Sequence, residues 1–207
     1  MRVLLTLGFL LFLGACVPTA VVDDDDDSAS EEGACLPVAG GWATDPDGES
    51  GQIHPRTILA GDALWTVYNR PDGGSDFAVY VVVRGCDGAL LAGPVRLDDG
   101  SGNATDPDLA VSGDRVLVAW QNDDRSSPWN LSVRTAVLDL EGTVLQEDRR
   151  LEMTDGGTPW AGNAWMAHPA ATPDGFLLVL SRANTDSVVF GLALQPLDTE
   201  GLSLIHI

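Results

Sequence analysis

A repeated spacing of proline and glycine constrains the fold of this chain more than any other feature. Three prolines each precede a glycine by six residues, and a short apolar segment follows each glycine. The pairs are Pro55 and Gly61, Pro107 and Gly113, and Pro169 and Gly175. Internal repetition of this kind along the chain predicts structural units that stack side by side and bury a shared core.

Within each unit, short segments rich in Val, Leu and aromatic residues alternate with Gly, Pro and Asp, which predicts strands joined by hairpin turns. Second strands are predicted at 63–68, 116–120 and 176–180, third strands at 77–84, 131–138 and 188–194, and fourth strands at 89–97 and 143–151. Each unit also reaches a turn that ends in glycine, at Gly88, Gly142 and Gly201. The third unit has no fourth strand before residue 201.

Four antiparallel strands per unit resemble the blades of a β-propeller. We therefore predict an all-β fold, a partial β-propeller-like array of about three four-stranded antiparallel blades over residues 35–201. The units start near 54, 106 and 168, and the third is incomplete. A β-sandwich of short strands is the alternative, although a sandwich has no reason to repeat in sequence.

The last six residues, 202–207, resemble the translation of an adapter used to build sequencing libraries, which implies a non-native tail. The alternative is a genuine final strand, since these residues have adequate β-propensity. Propellers close with typically 4–8 blades, so three units would leave strand edges and a blade face uncovered.

The amino terminus predicts export. Arg2 precedes an apolar run over 3–13, too short for a membrane span and typical of a signal peptide over residues 1–15. The following Leu13-Gly14-Ala15-Cys16 resembles the lipobox of bacterial lipoproteins. That resemblance implies cleavage between Ala15 and Cys16, acylation of Cys16 and anchoring in the cell envelope. Ordinary cleavage after Ala15 is the alternative. Val17, by analogy with enteric bacteria, favours the outer membrane over the inner.

An acidic run at Asp23–Asp27 dominates residues 16–34, which we predict to be a disordered tether behind the lipidated cysteine. A calcium-binding segment is the other interpretation. The whole chain carries 31 acidic and 11 basic residues, a formal charge of -20. Such a surface repels phosphate backbones, so nucleic acid is excluded as a partner. Once Cys16 carries lipid, Cys35 and Cys86 remain, and a disulfide between them is favoured over two free thiols in an oxidising compartment.

Three residues are candidate metal ligands. His54 and His168 each precede a proline that starts a unit, and Asp106 occupies the equivalent place. If these positions line one end of a channel, they would form a His/Asp metal site. Surface-loop histidines are the alternative, and no cofactor is predicted.

Two segments, 155–160 and 72–77, partly resemble the Asp boxes of sialidases, but both lack the leading serine. Neither falls in a predicted third-to-fourth-strand turn, so both are interpreted as glycine-rich loops. Arg56 and Arg115 occupy non-equivalent repeat positions, which argues against an arginine cluster for a substrate carboxylate. No catalytic residue is assigned.

The tryptophans divide into two groups. Trp65 and Trp120 are expected at matching places in second strands, packed between blades. Trp129, Trp160 and Trp165 lie in or beside polar loops, where they would either line a carbohydrate- or peptide-binding rim or fold onto a blade.

The sequence thus favours a lipid-anchored binding or scaffold module of the cell envelope, which presents propeller loops to a protein or glycan ligand. The alternative is a fragment of a propeller hydrolase, similar to sialidases or other glycosidases, with catalytic residues in blades that the chain lacks.

Overall fold

The computed structural model describes residues 53–73, 76–125, 130–155, 158–159, 162–183, 190–202 and 204. The chain divides after Glu32, and every described residue lies in the second unit, Gly33–Ile207. The predicted signal peptide, Cys16, the acidic tether, Cys35, Trp129 and Trp160 lie outside the described residues. Cys86 is disulfide-bonded, and its pairing with Cys35 stays a prediction. Within the described ranges, no helix is long and apolar enough to cross a membrane.

The described residues form two four-stranded antiparallel sheets, a two-stranded hairpin and a three-stranded sheet. The first blade contains β1 (Ile53–Ala60), β2 (Ala63–Pro71), β3 (Phe77–Gly85) and β4 (Leu90–Arg96), and the second contains β5 (Asn103–Ser112), β6 (Arg115–Asp123), β7 (Leu131–Asp139) and β8 (Val144–Arg150). The hairpin is β9 (Thr154–Asp155) and β10 (Thr158–Pro159), and the third blade contains β11 (Asn163–Thr172), β12 (Gly175–Ala183) and β13 (Phe190–Leu197). Strands pair in sequence order within each blade. The predicted all-β partial propeller is confirmed.

The continuous apolar runs reflect burial on both faces of a blade. Successive side chains of a strand point to opposite faces. In β6, Val116, Val118 and Trp120 pack into the core shared with the first blade. The intervening Leu117 and Ala119 pack into the core shared with the third blade. A strand covered on both sides needs apolar residues at every position, so period-two alternation is absent there.

Trp65 and Trp120 are both fully buried in the core between the first two blades, as predicted. Their expected equivalence is wrong. Trp65 pairs with Val83 across the β2–β3 ladder, whereas Trp120 pairs with Arg134, three positions further along the equivalent β6–β7 ladder. Since an odd offset reverses the face of a strand, the two rings enter one core from the two sheets that enclose it.

The turns after the third strands repeat one hydrogen bond. The amides of Gly88, Gly142 and Gly201 donate to the carbonyls of Gly85, Asp139 and Asp198, at 2.8, 3.1 and 3.0 Å. In the second and third blades, the aspartate Oδ1 also accepts two amide bonds of its own turn. The predicted glycine-ending turns are confirmed, and they fix the alignment of the three blades.

Candidate functional site

Each first strand contains one extra residue near its start. Three steps along β1, from Ile53 to Arg56, lie opposite two steps along β2. The same shift separates Thr105 from Asp108 in β5 and Trp165 from His168 in β11. Such β-bulges bend a strand and redirect its side chains, and they are common beside binding sites.

The second residue of each bulge has a left-handed backbone. The φ angles of His54, Asp106 and Met166 are 52°, 51° and 49°. Non-glycine residues rarely adopt this conformation, because the Cβ atom crowds the following carbonyl oxygen. Three occurrences at equivalent positions show that the bulge geometry, rather than the local sequence, imposes it.

The bulges correct the proline-based alignment of the third repeat. His54 and Asp106 are equivalent, as predicted, but their counterpart in the third blade is Met166. His168 is equivalent to Arg56 and Asp108 instead. The β11–β12 hairpin turns at residues 173 and 174, so Gly175 is the first residue of β12 rather than a turn glycine. The proline-to-glycine spacing is therefore two residues out of register in this unit.

The first strands of neighbouring blades contact one another, β1 with β5 and β5 with β11. Their bulges line a pocket with a volume of about 190 Å³, smaller than the pockets that hold drug-sized ligands. The lining residues are His54, Arg56, Asp106, Pro107, Met166 and His168. This pocket is the candidate functional site.

Two histidine–aspartate pairs connect the blades at the pocket. His54 Nδ1 lies 2.7 Å from Asp106 Oδ1, between the first and second blades. His168 Nδ1 lies 2.8 Å from Asp108 Oδ2, between the second and third blades. An ionised carboxylate only accepts hydrogen bonds, so each Nδ1 carries the proton and each Nε2 is left to accept when the ring is neutral.

The two carboxylates differ in exposure. The Asp106 side chain is 40% exposed, whereas that of Asp108 is 21% exposed and its Oδ1 also accepts the Leu109 amide at 2.9 Å. Asp108 is therefore held by two contacts, and Asp106 is the more accessible acceptor. Sequence reasoning missed Asp108, although its place two residues after Asp106 on the same strand was a usable signal.

The three predicted metal ligands all line this pocket, but they do not converge on one point, because His168 pairs with a different carboxylate. His54 faces Asp106, while His168 faces Asp108. In the part of the chain that the structure describes, no group of three or more His, Cys, Asp or Glu side chains is placed to hold a metal ion.

The remaining sequence candidates lie elsewhere. Of the first Asp-box-like segment, Asp72, Gly73 and Asp76 lie between β2 and β3. The described residues of the second, 155 and 158–159, lie in the β9–β10 hairpin, so neither is at a third-to-fourth-strand turn. Arg115 bonds Asp114 at the β5–β6 hairpin, 2.7 Å away, and does not line the pocket with Arg56. Trp165 immediately precedes Met166, is half-buried and is outside the pocket lining.

The sequence matches no protein-family model and no curated protein. Among solved structures, it is similar to an α-L-arabinofuranosidase from Lactobacillus brevis, at 11% identity and a TM-score of 0.52 over 81% of this chain and 58% of that chain. It also matches a Cellvibrio cellulosa α-L-arabinanase complexed with arabinohexaose, at 11% identity and a TM-score of 0.36 over 77% of this chain and 78% of that one. A Trypanosoma rangeli sialidase mutant matches at 8% identity and 0.39, over 69% and 30%.

The chain thus spans less than two thirds of the arabinofuranosidase, and an identity of 11% carries information about fold alone. Together with the blade order, the likeness to the arabinofuranosidase establishes that this chain has a partial β-propeller fold.

Proposed function

We propose that this protein is a lipid-anchored module of the cell envelope that binds a glycan in the pocket between the bulged first strands. The observation that carries the proposal is the pair of cross-blade His–Asp contacts around that pocket. Sugar hydroxyls both donate and accept hydrogen bonds. The pocket lining offers a carboxylate acceptor at Asp106, donors on Arg56, and histidine Nε2 atoms that do either. Asp108 is outside the lining and bonds His168. Met166 and Pro107 supply apolar contact to a ring.

Arabinose-containing oligosaccharides are the first ligands to test, because the fold is shared with the L. brevis arabinofuranosidase. Calorimetric titration of the purified Cys16→Ser chain should detect binding of at least one member of an arabino-, xylo- and galacto-oligosaccharide panel. Asp106→Asn removes the accessible carboxylate, whose bonds are each worth about 1.5–3 kcal/mol, so affinity should fall about 10- to 100-fold. Asp114→Asn, at the β5–β6 hairpin, is the matched control and should bind normally. An absence of binding to the whole panel at millimolar concentration contradicts the proposal.

A glycoside hydrolase is the second candidate, favoured by two nearby carboxylates: Asp106 lines the pocket, and Asp108 bonds the lining residue His168. Glycosidases generally use a pair of acidic residues on either side of the scissile bond. Turnover of an aryl arabinofuranoside that is lost in Asp106→Asn and Asp108→Asn, but kept in Asp114→Asn, would support it. Binding without turnover favours the binding module.

The anchoring part of the proposal rests on the Leu13-Gly14-Ala15-Cys16 motif and on the acidic segment behind it. The disulfide at Cys86 supports an oxidising compartment. The tether would hold the pocket away from the membrane, with the outer membrane favoured. In a bacterial host, a clickable fatty acid should label the wild-type chain and should not label Cys16→Ser. A Cys16→Ser variant that is still labelled would refute lipidation at this residue.

A further inference from the structure

The face of the third blade that points away from the second blade is apolar and uncovered. In β12, Phe176, Leu178 and Leu180 pack into the core shared with the second blade, so the intervening residues point the other way. Leu177 and Val179 are half-buried there, and β13 adds two large side chains beside them. Leu192 and Leu194 are 75% and 60% exposed. We call Leu177, Val179, Leu192 and Leu194 the far face.

The equivalent positions of the first two blades are fully covered. The shared turn bond aligns Asp198 with Asp139 and Gly85, so positions six residues earlier correspond. Leu192, 75% exposed, therefore matches Val79 and Val133, which are 0% and 1% exposed. Leu194 likewise matches Val81 and Thr135, which are both 1% exposed. In each earlier case, the next blade along the chain provides the cover.

We propose that a further blade of the same polypeptide, encoded beyond residue 207, stacks on the far face. The inference rests on continuity with two established interfaces, which use the same strand positions and mostly aliphatic side chains. Neighbouring blades cover each other's apolar faces in repeat proteins, and a terminal face without a polar cap is left exposed.

A second copy of this chain is the other potential cover, and burial argues against it. To close a ring, the first blade of a second copy would have to meet the far face with the side that points away from its own second blade. On that side Tyr68, Ala78 and Val82 are already 0%, 0% and 1% exposed within one chain. These side chains therefore offer no exposed apolar surface to a second copy.

The incomplete third blade also indicates that the chain continues. A pocket with a volume of about 210 Å³ lies between β8 and the turn of the third blade, lined by Thr135, Arg149, Arg150, Leu151, Glu152, Gly201 and Leu202. The Thr135 hydroxyl is buried there and has no hydrogen-bond partner among the described residues. Past Gly201 the chain begins to follow β13, since the Leu204 amide donates to the Pro196 carbonyl at 3.1 Å. A completed fourth strand would occupy this place.

The test compares thiol accessibility in the 207-residue chain with that in the product of the uninterrupted chromosomal gene, both as Cys16→Ser. Leu194→Cys introduces the probe thiol, and a maleimide dye measures its labelling rate at sub-micromolar concentration. Labelling should be fast in the 207-residue chain and about tenfold or more slower in the longer protein, because reaction then requires the blades to open. Leu145→Cys, on β8 and 51% exposed, should react equally in both.

Three outcomes would overturn the proposal. The first is a natural stop codon directly after Ile207. The second is equal labelling of the probe thiol in the two proteins. The third is a 207-residue chain that dimerises in light scattering and protects the probe thiol, which would assign the far face to a second copy. If Leu194→Cys does not give the parental melting curve, Leu192→Cys gives the same readout, because this position is even more exposed.

Discussion

Residues with a positive φ angle mark two different functions in this fold. At His54, Asp106 and Met166, the backbone adopts a strained left-handed conformation in the bulge, and the bulge directs the side chains towards the pocket. At Gly142 and Gly201, glycine is needed because the blades approach too closely for a side chain. A Cβ atom on Gly142 would lie 2.7 Å from Ala92 Cβ, and one on Gly201 would lie 3.0 Å from Val137 Cγ2.

Gly142→Ala should therefore destabilise the fold by about 2–4 kcal/mol, since it combines a left-handed φ of 87° with overpacking between two blades. Urea unfolding followed by tryptophan fluorescence, at sub-micromolar concentration, measures the change. Gly113→Asn is the matched control, because a Cβ atom there meets nothing within 4 Å and asparagine tolerates a φ of 58°. Equal losses in the two variants would contradict the close-approach argument.

Among the strands, an ion cluster ties the segment that connects the first two blades to the second blade. Arg134 on β7 bonds Asp148 on β8 at 2.8 Å and Asp99 in the blade-connecting segment at 3.1 Å. Asp148 Oδ2 also accepts the Asp99 amide at 3.0 Å. Burial raises the pKa of Asp148 even though Arg134 favours its charged form. Arg134 therefore offsets a desolvation cost, and its loss should be felt more strongly than that of an exposed arginine.

Arg134→Met should reduce the free energy of unfolding at pH 7 by about 2–4 kcal/mol, because Asp148 is left nearly buried and charged. The loss should shrink as the pH falls. A carboxyl whose pKa is raised above its ordinary 3.8 by folding stabilises the folded state most when protonated. Urea unfolding at pH 7 and pH 5 measures both effects. Arg115→Met, whose partner Asp114 is 77% exposed, should cost less than about 1 kcal/mol. A loss in Arg134→Met that is independent of pH would contradict this account.

In the whole molecule, stacking decides which surfaces are stable in water. The cores between blades one and two and between blades two and three are built from facing sheets. The far face of the third blade has the same composition and no cover among the described residues. Contiguous apolar surface of this kind promotes association in solution.

The 207-residue chain should accordingly bind an apolar dye and aggregate as its concentration rises. Leu192→Ser combined with Leu194→Ser should lower both signals with little change in unfolding free energy, because both side chains are exposed. Val133→Ser, at the position equivalent to Leu192 but buried, should cost about 2–4 kcal/mol instead. Dye fluorescence and light scattering measure the association. A soluble monomer without dye binding at about 100 µM would contradict the expectation, which rests on the exposed patch.

Particular residues show how much of the fold can be predicted from the sequence. The glycine-ending turns at Gly88, Gly142 and Gly201, and the strands on either side of them, follow from local turn chemistry and apolar runs. The candidate site was only partly foreseen. His54, Asp106 and His168 were singled out, but Asp108 was missed and Met166 was not expected to be the third equivalent residue. A bulge adds one residue to a strand without leaving a local signature.

Local sequence was enough to specify the class of fold and the number of repeats, because both depend on strand propensity, turn chemistry and spacing. The leader motif likewise predicts the anchor at Cys16 without reference to the fold. Three-dimensional packing was needed to show that His54 meets Asp106 while His168 meets Asp108, and which face of the third blade is left bare. These features depend on strand register and on the stacking of blades, where a shift of one residue reverses the face of every side chain that follows.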